Sequence, residues 1–258
     1  MNAIRSLIAA LSLAMPFAGG AVAQAVDAQA ADPQAAGSVA FELQKPLVVV
    51  ELFTSQGCSS CPPADALLHQ LTKRNDVLPL ALHVDYWDYI GWKDQFASPE
   101  HTRRQKGYAQ IGGRQMVYTP QMIIHGQDDV VGADAMKLAD AIAAHRGRAE
   151  PVEVSLAPQA DGEVLLTLTA SGAAAMPDGP VAVQLVRYTP LQTVDISRGE
   201  LAGHRLSYAN VVEQIDRIAN WDGAEDLTLR VALTDDLPAA VIVQAAPFGR
   251  VLAAARLQ

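Results

Sequence analysis

The stretch Leu47-Val48-Val49-Val50-Glu51-Leu52-Phe53-Thr54-Ser55-Gln56-Gly57-Cys58-Ser59-Ser60-Cys61-Pro62-Pro63-Ala64-Asp65-Ala66-Leu67-Leu68 decides the reading of this chain. Residues 47–53 form a nearly continuous apolar run, as expected of a strand buried on both faces of a sheet. After Cys61 the period changes. Ala64, Leu67, Leu68 and Leu71 recur at helical spacing and give one apolar face. Pro62 and Pro63 fall in the first turn of that helix, where a missing N–H costs little. The chain holds two cysteines, and both lie in this one Cys-x-x-Cys segment between strand and helix. That placement makes a reactive dithiol. The helix N-terminus offers unpaired N–H groups and a partial positive charge, which favour a thiolate at Cys58. Cys58 is therefore the expected nucleophile and Cys61 the resolving thiol. The alternative is a purely structural disulfide, but so short a loop gains only about 2 kcal/mol from cross-linking, well below a long-range bridge.

Downstream, residues 77–84 read as a second strand. An insertion follows, Asp85-Tyr86-Trp87-Asp88-Tyr89-Ile90-Gly91-Trp92-Lys93-Asp94, with two of the three tryptophans. Ser98 fits a helix N-cap and Pro99 the first helical position, and Gly112-Gly113 ends that helix. In Val117-Tyr118-Thr119-Pro120-Gln121-Met122-Ile123-Ile124-His125-Gly126 the spacing predicts a strand over 121–125, a turn over 126–129 and a short strand at 130–131. Asp134 caps a last helix over 135–145 with Met136, Ala139, Ile142 and Ala143 inward, and Gly147 suits its end.

Strand, Cys-x-x-Cys, helix, and then Thr119-Pro120 opening a strand and hairpin together resemble a thioredoxin fold. The resemblance implies that Pro120 is cis and packs beside the dithiol, and that the Thr119 backbone holds a bound substrate chain. The segment from Glu51 to Asp65, with His83-Val84-Asp85-Tyr86-Trp87-Asp88-Tyr89 and Tyr118-Thr119-Pro120-Gln121, is similar more closely to the bacterial secreted thioredoxin-like proteins of the DUF1223 family. That family name implies a fold and almost no biochemistry. The chain departs from thioredoxin itself in lacking Trp-Cys-Gly-Pro-Cys and in carrying an extra helix before the Thr-Pro strand.

From Pro151 the pattern alternates: residues 152–156 and 164–169 flank the hairpin turn Asp161-Gly162, and 181–188, 227–234, 239–244 and 249–252 are further strand candidates. Residues 209–219, with Val212, Ile215 and Ile218, read as one helix. The expected fold class is an α/β thioredoxin-like domain over residues 40–148 followed by a mainly antiparallel, sandwich-like β domain over 150–258.

At the other end, Arg5, the apolar residues 6–17 and Ala21-Val22-Ala23 read as a cleaved signal peptide over 1–23, followed by a flexible leader over 24–39. This implies a periplasmic or secreted protein with no stable membrane insertion after cleavage. A net charge of −9 suits neither nucleic acid nor anionic lipid.

Secondary candidates each carry two readings. His69, His83 or His125 could join the thiols around zinc or copper(I). Against this, His69 lies some 12 Å along the helix from Cys61, and His83 and His125 sit in strands where packing is the usual role. Asp85 either aids proton transfer to Cys61 or caps a loop. Glu51 is either a buried proton acceptor, or it sits on an edge or pairs with a cation. Trp87, Tyr89 and Trp92 line a substrate groove or pack locally. Arg103, Arg104 and Lys106 read as a solvated helix face. The expected activity is that of an exported thiol–disulfide oxidoreductase or redox-active chaperone using Cys58, Cys61, Thr119 and Pro120 on protein or small-molecule thiols and disulfides. It needs neither metal nor organic cofactor. The alternatives are a non-catalytic binding module on the same scaffold and a copper- or zinc-binding protein.

Overall fold

The computed structural model describes residues 29–30, 41–159, 162–233 and 236–257. The expected signal segment 1–23 lies outside them. So does the expected leader over 24–39, apart from the two-residue strand β1 (Gln29–Ala30). Among the described residues no helix is long and apolar enough to cross a membrane.

The first half runs β2 (Glu42–Leu43), β3 (Val48–Thr54), α1 (Pro62–Leu71), β4 (Val77–His83), α2 (Pro99–Ile111), β5 (Gln121–Ile124), β6 (Asp128–Val131) and α3 (Ala135–Arg146). The second half is all strand: β7 (Val152–Pro158), β8 (Glu163–Ala170), β9 (Val181–Asp195), β10 (Arg205–Trp221), β11 (Leu227–Ala232), β12 (Ala239–Ala245) and β13 (Val251–Arg256). The result is a mixed α/β protein with two mostly antiparallel sheets. One has the order β1-β11-β8-β7-β2 and the other β13-β12-β9-β10-β4-β3-β5-β6. The expected boundary near residue 150 marks where helices give way to strands, and the eight-stranded sheet crosses it through β10 and β4, parallel at Val211 and Ala81.

Every residue of β3 and β4 is buried, because β3 lies between β4 and β5 and both faces of this sheet are covered. Val48, Val50 and Leu52 pack under α1 and α3 with Leu68, Leu138 and Ile142. Val49 and Phe53 face the other way, into a core shared with Leu78, Leu80, Val186, Ala240, Ile242 and Ala254. The large sheet therefore curls until its two halves face one another. Val251 N–H donates to the His125 carbonyl at 2.9 Å, tying β13 back to the end of β5. A further core lies between the five-stranded sheet and β9, β12 and β13, the sandwich-like part.

Two local expectations are corrected. Residues 209–219 are not helical but the middle of β10, paired with β9 along its length. Register shifts occur between Val212 and Gln214 and between Arg217 and Ala219. Each bulge inserts one residue, so a period of two reads as three and mimics a helix. In α3 the buried residues are Leu138, Ile142 and His145, while Met136 is 78% exposed and Ala139 and Ala143 also face outward. His145 Nε2 on Asp128 Oδ2 at 2.7 Å fixes that rotation.

The junction of the halves is polar and fully buried. Arg104 donates to Glu51 through Nε (2.5 Å) and Nη2 (3.2 Å), to Gln184 Oε1 (2.9 Å) and to Gln244 Oε1 (3.2 Å). Tyr108 O–H donates to Glu51 Oε2. Arg104 is thus not on a solvated face, unlike Arg103 and Lys106, and Glu51 is the partner of a cation. Burial alone lowers the affinity of Arg104 for its proton, but Glu51 and Tyr108 outweigh it and hold the guanidinium charged.

Replacing Arg104 alone with Met leaves Glu51 buried without its cation, and is expected to cost about 3–5 kcal/mol of unfolding free energy in guanidinium titration. Adding Glu51→Leu should recover most of that loss. Equal stability of Arg104→Met and wild type would contradict the network's role.

Candidate active site

The chain leaves β3 at Thr54, whose carbonyl accepts from Val84 N–H at 3.0 Å. The Ser55–Gly57 turn is closed by its own groups. Gly57 N–H donates to Ser55 Oγ (3.0 Å) and Cys58 N–H to the Ser55 carbonyl (3.1 Å). Cys58 and Cys61 form a disulfide with Cα atoms 5.4 Å apart. Cys61 occupies the N-cap of α1 and Pro62 and Pro63 its first turn. The sulfurs lie just beneath the surface, since both cysteines are buried while Ser59 and Ser60 are exposed.

The helix end differs from expectation in one respect. Pro62 and Pro63 carry no N–H, and Ala64 and Asp65 N–H are taken by the Cys61 carbonyl at 2.8 and 3.1 Å. The first turn therefore gives a Cys58 thiolate its dipole but no backbone donor from positions 62–65. Ser60 Oγ, 3.5 Å from Cys58 Sγ, is the nearby side-chain donor.

The Thr119–Pro120 bond is cis, and Pro120 is buried at the start of β5. The insertion over residues 85–94 joins this loop to the dithiol. Trp87 Nε1 donates to Thr119 Oγ1 at 2.7 Å, and a methyl group placed on Gly57 would meet Trp87 Cβ at 3.1 Å and Ile90 Cδ1 at 3.3 Å. Trp92 Nε1 donates to Gln56 Oε1 at 2.7 Å. Trp87 and Trp92 are therefore packed into the site, whereas Tyr89 stands 81% exposed on its rim.

Behind the disulfide lies a buried acid that sequence reading passed over. Asp65 is one helical turn after Cys61 on the covered face of α1. Burial pushes its carboxyl up to about 7, opposed by His83 and Thr54 and reinforced by Asp94. His83 Nδ1 and Asp94 Oδ2 are 2.7 Å apart, and Gln56 N–H donates to the same oxygen at 2.8 Å. From the second half, Tyr208 stacks edge-on against the His83 ring, centroids 4.8 Å apart. The signal for Asp65 was available: a carboxylate between Ala64 and Leu68 on an otherwise apolar helix face.

The remaining candidates stay apart from the dithiol. Asp85 accepts from Thr102 Oγ1 at 2.6 Å, a loop-to-helix tie. His69 is exposed, and His125 packs against His145 with ring centroids 5.3 Å apart. Among the described residues no three His, Cys, Asp or Glu side chains converge as a metal site.

Asp65 carries a stability signature. Its carboxyl holds a proton in the folded state up to about pH 7, against about 4 when unfolded, so its contribution is full below pH 4 and is lost as pH rises through 7. Asp65→Asn should thus gain stability relative to wild type between pH 4 and 7.5, by up to about 1.4 kcal/mol per pH unit. Denaturant unfolding at both pH values checks this, and a difference independent of pH would refute the buried-acid assignment.

The family model for proteins of unknown function DUF1223 matches residues 49–244. A crystal structure of an Agrobacterium tumefaciens protein from a structural genomics consortium is 36% identical, covering 83% of this chain and 95% of that one at a TM-score of 0.70. HBP35 of Porphyromonas gingivalis, 15% identical, superposes with a TM-score of 0.57 over 82% of this chain and 74% of that one, a likeness of fold alone. No curated protein matches the chain. The chain belongs to the DUF1223 family.

Proposed function

We propose that this protein is an exported thiol–disulfide oxidoreductase or redox-active chaperone, and that β3, α1, β4, β5, β6 and α3 form a thioredoxin-like unit around its dithiol. The observation that carries the reading is the Cys58–Cys61 disulfide at the N-terminus of α1, linked by Trp87 to the cis Thr119–Pro120 loop. A dithiol used only for stability needs neither this placement nor a buried acid behind it.

In the reducing direction the Cys58 thiolate attacks a substrate disulfide, forming a Cys58–substrate bond and releasing one substrate thiolate. The Cys61 thiol then gives its proton to Asp65, and the Cys61 thiolate attacks Cys58 Sγ. The Cys58–Cys61 bond forms, the Cys58–substrate bond breaks, and the second substrate sulfur leaves as a thiolate that takes up a proton. The substrate gains two electrons and the dithiol loses them. The oxidising direction is the reverse. Thr119 supplies the backbone edge for an extended substrate segment, and Tyr89 the exposed aromatic rim. Asp65 takes the proton-acceptor role weighed for Asp85 and Glu51, which the Thr102 and Arg104 contacts occupy.

Cys58→Ser should abolish exchange with a peptide disulfide. Cys61→Ser should instead accumulate a stable mixed disulfide on Cys58, visible by intact mass. Trapping on neither cysteine, or full activity of Cys58→Ser, would refute the reading and leave the binding module.

A further inference from the structure

Behind the dithiol, five buried side-chain polar atoms find no hydrogen-bond partner among the described residues beyond a contact of Thr54 with Asp65: Thr54 Oγ1, Gln56 Nε2, Asp65 Oδ1, His83 Nε2 and Tyr208 OH. Native proteins keep few such atoms, because leaving a buried polar group unsatisfied is costly. These five belong to one neighbourhood. The charges of His83 and Asp94 act on Asp65, and those of Asp65 and Asp94 act on Tyr208. The Gln56 backbone is bonded to Asp94, and the rings of His83, Phe96 and Tyr208 meet edge to face. Four of the five come from β3, the turn after it, α1 and β4. The fifth, Tyr208, comes from β10 in the second half.

We propose that Tyr208 is a positioning residue of the dithiol centre, through which the second half of the chain sets the ionisation of Asp65 and hence the pH at which Cys61 resolves a mixed disulfide. The role rests on the thiol-exchange reading, whereas the coupling of Tyr208 to Asp65 rests on the packing of β10 against α1 and of the phenol ring against His83. The groups facing Asp65 are Thr54 from β3, His83 from β4, Asp94 from the insertion and Tyr208 from β10. Burial, with Asp65 and Asp94 nearby, holds the phenol above its ordinary range, so it keeps its proton. A protonated phenol near two carboxyl groups, with no direct partner of its own, donates toward them through a bound water. Donation favours ionised Asp65, the form that can accept the Cys61 proton. The edge contacts with His83 and Phe96 hold the phenol ring, and Val194, Ile196, Leu201 and Val211 pack around it.

The test is the Asp65 carboxyl titration, by carbon-13 NMR on the full chain, in wild type and Tyr208→Phe, beside the pH profile of peptide disulfide exchange. Loss of the hydroxyl should raise the Asp65 midpoint by about one pH unit, the size of one lost hydrogen bond to a charged group. The exchange profile should move up by the same amount, close to tenfold in rate below the midpoint. Should Tyr208→Phe fail to fold, 3-fluorotyrosine, a stronger donor, should move the midpoint down. An unchanged Asp65 midpoint would overturn the proposal, as would a shifted midpoint with an unmoved exchange profile. A wild-type dithiol that does not exchange at all would end the thiol-exchange reading, while the NMR titration still decides the coupling.

Discussion

The bidentate pair of Arg104 with Glu51, buried among Tyr108, Gln184 and Gln244, is the constraint on which the architecture depends. It joins β3, α2, β9 and β12, elements from both halves of the chain. A buried charge pair is stable only when its remaining donors and acceptors are filled. Here Gln184 and Gln244 fill them, and Gln244 Nε2 also reaches the Gly249 carbonyl at 2.8 Å. The pair thus specifies one packing of the curled sheet, in which α2 lies against the inner face. That packing fixes β3, and β3 delivers the cysteine turn.

The same curl carries β10 alongside β4 and α1. Asn210, with φ of 47°, turns β10 at this point, and its side chain donates to the Pro79 carbonyl at 2.8 Å. The tip of the β9–β10 hairpin then packs under the insertion through Trp92, Phe96 and Leu201. The insertion is held from two sides, by this hairpin below and by the cysteine and proline loops above. A long hairpin in the second half therefore supports the wall of a site whose sulfurs lie in the first.

What could be read from the sequence follows the range of the forces involved. The strand, cysteine turn and helix over residues 47–71 were legible because period, proline placement and burial agree locally. Thr119 and Pro120 were legible through resemblance. β10 was misread because its two bulges erase the alternation that identifies a strand. The burial of Arg104 was hidden because its partners Gln184 and Gln244 lie 80 and 140 residues away. Tyr208 was hidden for the same reason. Asp65 was legible in principle, as the one carboxylate on the covered face of α1, but the cysteines beside it drew the reading.

Whether Cys58 and Cys61 exchange electrons with thiols is decided by the reduction potential of the pair in glutathione buffers. The first turn of α1 withholds its N–H donors from the Cys58 thiolate, so the reduced form gains less than in strongly oxidising dithiols. Reversible exchange is expected, with a potential nearer to about −270 mV than to about −120 mV. A pair that stays oxidised at every ratio, with a potential below about −300 mV, would contradict it and make the bridge structural.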